Sequence, residues 1–310
     1  MQPFAWAGLV MSVPDAFRPI RIRGDAARGS IDLGDDRRSR LEIHWGKVTK
    51  TKFDAVSFAK RQLARAAEVG RSERRSLAFD VIEHDTLATL LAYHDDDKEL
   101  DRFVGFDAAS RRVIELAYHR ANEREDHAVR DETIARLTVT PPDRPQLWAF
   151  FDVRFTSPAH FKYRGATLNL GDMTVNLNWA DKGWWRPMMS VRHIYPATLA
   201  LSRQPIDQWM RTTITGRQLP YRAAQRFTRS RKPAPFEQID TPYGPAIVVD
   251  ARLRLSYRVF QWRLPGVQRT CIAHDEEHDR LVVIQVADRR DRLENRCAFV
   301  LKHTPQRNIQ

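Results

Sequence analysis

Cysteine is nearly absent: Cys271 and Cys297 are the two in 310 residues. Two thiols do not make a disulfide framework, so a reducing, cytoplasmic setting is expected. They are too few and too far apart for a zinc site of paired Cys-x-x-Cys elements. No Gly-x-Gly-x-x-Gly, Gly-x-x-x-x-Gly-Lys, Gly-x-Ser-x-Gly or His-Glu-x-x-His occurs. The common signatures of nucleotide enzymes, serine hydrolases and zinc proteases are therefore missing, and no cofactor is expected. The N-terminal apolar run, Phe4 to Val13, ends at Pro14 and Asp15. It falls well short of the ~20 apolar residues of a membrane helix. No Lys or Arg precedes it, as a secretory signal would require. It reads as a buried first strand of a soluble protein with no membrane association.

Acidic residues are scarce in one half only. Residues 1–145 carry 25 Lys+Arg and 25 Asp+Glu, whereas residues 146–310 carry 26 Lys+Arg against 14 Asp+Glu, which accounts for the whole net charge of +12. A charge excess confined to one half points to an acidic partner or polyanion bound there. It says nothing about the fold. Hydrophobic residues at 42% and charged residues at 29% are globular proportions.

The chain reads as an internal duplication, residues 1–143 and 144–310, joined by the stiff connector Pro141-Pro-Asp-Arg-Pro145. In the first half, Pro14 and Phe17 lead to Gly29-Ser-Ile-Asp-Leu-Gly-Asp35 and then Leu41-Glu-Ile-His-Trp45. In the second, Pro158 and Phe161 lead to Gly165-Ala-Thr-Leu-Asn-Leu-Gly-Asp172 and then Val175-Asn-Leu-Asn-Trp179. Each series predicts a strand, a tight Gly-Asp turn and a returning strand, with Trp45 and Trp179 at matching ends. Trp148 opens the second half as Trp6 opens the first. Helices are predicted over Phe53–Val69 and Pro205–Ile214, then over Asp126–Leu137 and Asp291–Leu301. The last two stop at Thr140-Pro141 and Thr304-Pro305, because proline removes a donor and clashes with the preceding turn. Further strands are expected at 77–82, 86–94, 246–249 and 252–262, the last alternating most cleanly.

The predicted fold class is α+β: two copies of an antiparallel sheet flanked by helices. The aromatic-Pro-Phe opening strand, the Gly-Asp hairpin, the helix after it and the Asp-containing hairpin before the last helix resemble the Mog1/PsbP-like fold. That resemblance implies an α/β/α sandwich whose members mostly bind other proteins without catalytic machinery. It carries no binding residue onto this chain.

Candidate sites are few. From Thr212 to Phe236 there is no acid, while Arg217, Arg222, Arg226, Arg229, Arg231 and Lys232 occur with Tyr221 and Phe227 between them. Arginine forks clamp carboxylates or phosphates, and aromatics stack on bases or pack on a partner. The segment reads as a solvated insertion, an acidic-protein contact or a nucleic-acid contact. Trp184 and Trp185 begin a returning strand, so one faces the core and the other serves as an interface anchor. His274-Asp-Glu-Glu-His278-Asp279 has ligand types for a divalent ion. The matching Phe106-Asp-Ala-Ala-Ser-Arg111 of the first half favours a plain hairpin turn instead. The expectation is a non-catalytic adaptor that recognises an acidic protein surface through its second half. The alternatives are sequence-tolerant nucleic-acid binding and an enzyme with its site between the halves.

Overall fold

In the computed structural model, residues 1–66, 79–95, 99–120, 123–179, 187–210, 212, 236–252, 267–288 and 290–302 are described. Among the described residues strand outweighs helix, and every pairing within the two large sheets is antiparallel. The chain forms two compact units, Met1–Arg154 and Phe155–Gln310.

The apolar N-terminal run is two strands rather than one: β1 (Gln2–Trp6) and β2 (Leu9–Val13). The chain reverses at Ala7 and Gly8, both at positive φ (51° and 87°). A run of apolar residues hides such a turn, because hydrophobicity does not report φ. β2 pairs with the short β10 (Thr138–Val139), and β1 pairs with β11 (Gln146–Phe150), where Ala5 stands opposite Ala149. This pairing places the unit boundary beyond the Pro141–Pro145 connector. β11 turns through Phe151, again at positive φ (49°), into β12 (Val153–Ser157). β2 and β12 share one alternating burial pattern, so the opening hairpin recurs. Trp6 and Trp148 are fully buried and meet edge to face, 5.5 Å between ring centroids.

The first seven-stranded sheet contains β3 (Arg18–Gly24), β4 (Arg28–Gly34), β5 (Ser39–Lys47), β6 (Asp80–Val81), β7 (Thr89–Asp95), β8 (Leu100–Asp107) and β9 (Arg112–His119). Its order is β3-β4-β5-β9-β8-β7-β6. The second contains β13 (Phe161–Asn169), β14 (Asp172–Trp179), β15 (Met188–Ile194), β16 (Glu237–Thr241), β17 (Gly244–Arg252), β18 (Val267–Asp275) and β19 (Arg280–Asp288). Its order, β13-β14-β15-β19-β18-β17-β16, is the same path. The two halves thus hold similar sheets.

The detailed match differs from the sequence reading by one strand. Trp45 lies in β5, third along its sheet, whereas Trp179 ends β14, second along its own. The Gly-Asp signal explains the slip. Gly34-Asp35 closes the second hairpin of the first sheet, while Gly171-Asp172 closes the first hairpin of the second. Such a signal marks a tight turn without saying which hairpin it closes. The hairpin before the last helix matches in register: Asp107 pairs with Arg112, and Asp275 with Arg280. Arg111 and Asp279 are both at positive φ there. Thr304 and residues 253–262 lie outside the described residues.

Helices stand at α1 (Ala55–Ala66), α2 (Glu123–Ala135), α3 (Ala197–Leu201), α4 (Ile206–Trp209) and α5 (Arg290–Lys302), and all but α3 overlap a predicted span. Asp54 starts α1 by accepting from the Ser57 amide at 3.0 Å. Ala59 and Leu63, one turn apart, then pack on Leu91, Val104 and Val113. In the second unit α4 falls within the span expected for a helix, Pro205–Ile214, and the short α3 is an additional helix ahead of it. Pro205, the residue before α4, is extended (φ −64°, ψ 161°) and separates them. Trp209, Met210 and Ala197 pack on Ile194, Ile272, Leu281 and Val283. No helix among the described residues is long and apolar enough to cross a membrane.

Candidate functional site

In β5, Leu41, Ile43 and Trp45 are buried while Glu42 and His44 alternate between them. The cross-strand register extends this division over the sheet. Ile31, Ile43 and Leu116 share one face, and Glu42, His44, Glu115, Ala117 and Arg102 share the other. α1 covers the β7–β8 side of that second face. Beside the helix a cavity of about 500 Å³ remains, walled by Glu42, His44, Arg102, Glu115 and Lys47, with Phe58 on the helix side and Ala117 among the lining residues.

Glu42, Ala117 and Arg102 lie in one row across β5, β9 and β8. Two strand spacings of ~4.8 Å set Glu42 and Arg102 about 10 Å apart along that row, with a single methyl group between them. Glu42 contacts His119 at 3.0 Å and lies 3.9 Å from His44. Neither Arg102 nor Glu115, both half-buried, has an ion-pair partner among the described residues. Elsewhere in the unit buried arginines are paired: Arg40 with Asp35 at 3.2 Å and Arg130 with Asp101 at 2.6 Å.

The matching place in the second sheet has different chemistry. Ala117 lies five residues beyond Arg112 and Gln285 five beyond Arg280, so their rows correspond. The second row reads Asn176, Ser190, Gln285, Thr270 across β14, β15, β19 and β18. It is neutral, and Ser190, Gln285 and Thr270 are buried. A glutamine therefore stands where the first sheet has a methyl group.

The sequence-derived candidates fall differently. Arg217, Tyr221, Arg222, Arg226, Arg229, Arg231, Lys232, Trp184 and Trp185 lie outside the described residues. Both ends of the basic segment are described, however. Trp209 and Met210 before it are buried in one core cluster, and Phe236 after it packs against the same cluster.

The His274–Asp279 turn is held by its own charges. Asp275 accepts from Arg280 at 2.7 Å and lies 3.1 Å from Nδ1 of His278. Burial alone would raise the Asp275 pKa, but the bonds from His278 and Arg280 hold it below the ordinary carboxylate value. Asp279 accepts from the Thr198 amide at 2.8 Å and hydroxyl at 2.9 Å, which fastens the turn to the start of α3. His274 sits on β18 opposite Leu281. Two of the four carboxylates are thus engaged in the turn and the α3 start. Among the described residues no group of three or more His, Cys, Asp or Glu is placed to hold a metal ion.

Sequence reading alone did not single out Glu42, Arg102 and Glu115. The polar positions of Leu41–Trp45 hint at a wet face, but the neighbours of that face come from β8 and β9, far away in the chain. No family model matches this chain, and neither does any curated protein.

Proposed function

We propose that this chain is a non-catalytic binding protein whose second half recognises an acidic protein surface. Arg217, Arg222, Arg226, Arg229, Arg231 and Lys232 supply the cations, with Tyr221 and the outward member of Trp184 and Trp185 as anchors. One observation carries the reading. The acid-free segment leaves and rejoins the sheet at a single core cluster, through Trp209 and Met210 at one end and Phe236 at the other. A cationic stretch fastened at both ends loses less freedom on binding than a loose tail, so more of its interaction energy becomes affinity. The matching connection of the first half, residues 67–79, mixes Glu68 and Glu73 with Arg71, Arg74 and Arg75. The basic character is therefore particular to the second half.

Each half is read as a Mog1/PsbP-like α/β/α sandwich. Support comes from α1 packed on β7 and β8, and from α5 lying along β18 and β19. Fold analogy also favours a binding role.

Changing Arg222, Arg226 and Arg229 together to alanine is expected to abolish recovery of the partner in a pull-down from the native host, with the melting temperature nearly unchanged. Undiminished recovery would overturn the reading. The interleaved Tyr221 and Phe227 favour a second reading, sequence-tolerant nucleic-acid binding. Gel shifts across salt separate the two, since phosphate contacts give an affinity that falls linearly on logarithmic axes. Absence of any shift at low salt removes this second reading.

A further inference from the structure

Charged groups that are half-buried without a partner lose hydration and recover little in return. Among the described residues Arg102 and Glu115 are such groups, on adjacent strands and facing one cavity of about 500 Å³. That volume lies within the range of small-molecule sites. The walls carry both signs: Glu42 and Glu115 on β5 and β9, Arg102 on β8 and Lys47 at the end of β5. An anion alone would leave Glu115 unanswered, and a cation alone would leave Arg102 unanswered. A molecule with one ammonium and one carboxylate satisfies both walls at once. Phe58 and Val113 add an apolar wall that suits a short side chain.

The second sheet carries different side chains at this place. Its corresponding row places Gln285, buried, at the position of Ala117 and replaces the charges with Ser190 and Thr270. We propose that the first unit binds a small zwitterion of the free amino acid or short peptide class in this cavity. Its ammonium lies toward Glu115 and Glu42, and its carboxylate toward Arg102.

The full chain, labelled for amide NMR, would be titrated with the standard L-amino acids and with glycylglycine at millimolar concentration. The expected result is saturable shifts at Arg102, Glu115 and Ala117 with at least one of these ligands. Free amino acid and dipeptide arms distinguish the two sources of the same chemistry. The N-acetyl and the amide derivative of the best ligand should each bind at least about tenfold more weakly, the loss of one charge-assisted contact. Ala117→Gln, which copies the second sheet, should abolish the shifts while the melting temperature holds. Arg102→Gln should bind the amide as well as the acid, and this size-conserving change keeps the test open if Ala117→Gln fails to fold. No saturable shift across the panel overturns the proposal. So do equal binding of the capped derivatives and full binding by a folded Ala117→Gln protein.

Discussion

Asp101 and Arg130 are sealed together inside the first unit, with Oδ2 of the carboxylate 2.6 Å from Nη1 of the guanidinium. Asp101 is fully buried and also lies 2.8 Å from Nδ1 of His94. Burial would raise its pKa, but the bonds from Arg130 and His94 and the charges of Arg130 and Arg120 hold it below the ordinary value of 3.8. Asp101→Ala leaves the buried Arg130 guanidinium with only the exposed Asp131 carboxylate, 2.7 Å away, and should cost about 3 kcal/mol of stability in urea unfolding. Because the folded pKa is depressed, this contribution is complete above the unfolded value of 3.8 and is lost as pH falls through the folded one. A loss below about 1 kcal/mol, the scale of an exposed pair, would count against a buried ion pair here.

His193 makes the opposite test. It is buried on β15, and neither ring nitrogen has a hydrogen-bond partner among the described residues. Burial first, and the nearby Arg280 charge second, push its pKa from 6.5 down to about 3. The unfolded chain therefore binds a proton below pH 6.5 that the folded chain refuses. Stability from this group is full above pH 6.5 and declines toward pH 3, with a limiting slope of about 1.4 kcal/mol per pH unit. His193→Leu should flatten the acid limb of stability against pH measured by denaturant unfolding. An unchanged limb would show that His193 is not the group responsible.

Cys271 and Cys297 should resist thiol reagents in the folded protein. Both are buried, and burial raises the Cys271 pKa to about 12 and that of Cys297 further still. Reaction needs the thiolate, so labelling with a colorimetric disulfide should wait for unfolding. Rapid labelling of native protein would contradict this.

Gly8→Ala should destabilise the opening hairpin. Gly8 has φ +87°, and a Cβ there would lie 2.8 Å from the carbonyl oxygen of Thr140. The Thr140 amide donates to the Gly8 carbonyl at 2.7 Å, so the clash also strains the β2–β10 edge. A loss of about 1–3 kcal/mol is expected in thermal or denaturant unfolding. A neutral effect would mean that the turn relaxes freely.

The chain's local signals were legible where one side chain reports one constraint. Alternation at Leu41–Trp45 marked a two-faced strand, and the 291–301 segment marked α5 within a residue at each end. The Asp107 and Asp275 hairpins matched because a turn carries its chemistry in consecutive residues. The Trp45–Trp179 match failed because alternation and Gly-Asp turns look alike in any hairpin of a sheet. Trp6 and Trp148 were read as separate openings, yet their rings touch.

By itself the sequence determined that two similar, strand-rich halves follow one another and that the positive charge belongs to the second. Periodicity, turn residues and charge are properties of neighbours along the chain, which the sequence states directly. Only the tertiary structure decided that β9 inserts beside β5, setting Glu42, Ala117 and Arg102 in one row over a cavity while Gln285 takes the same place in the other sheet. Strand order depends on which distant segments bury their apolar faces together, and that choice belongs to the whole sheet rather than to any one segment.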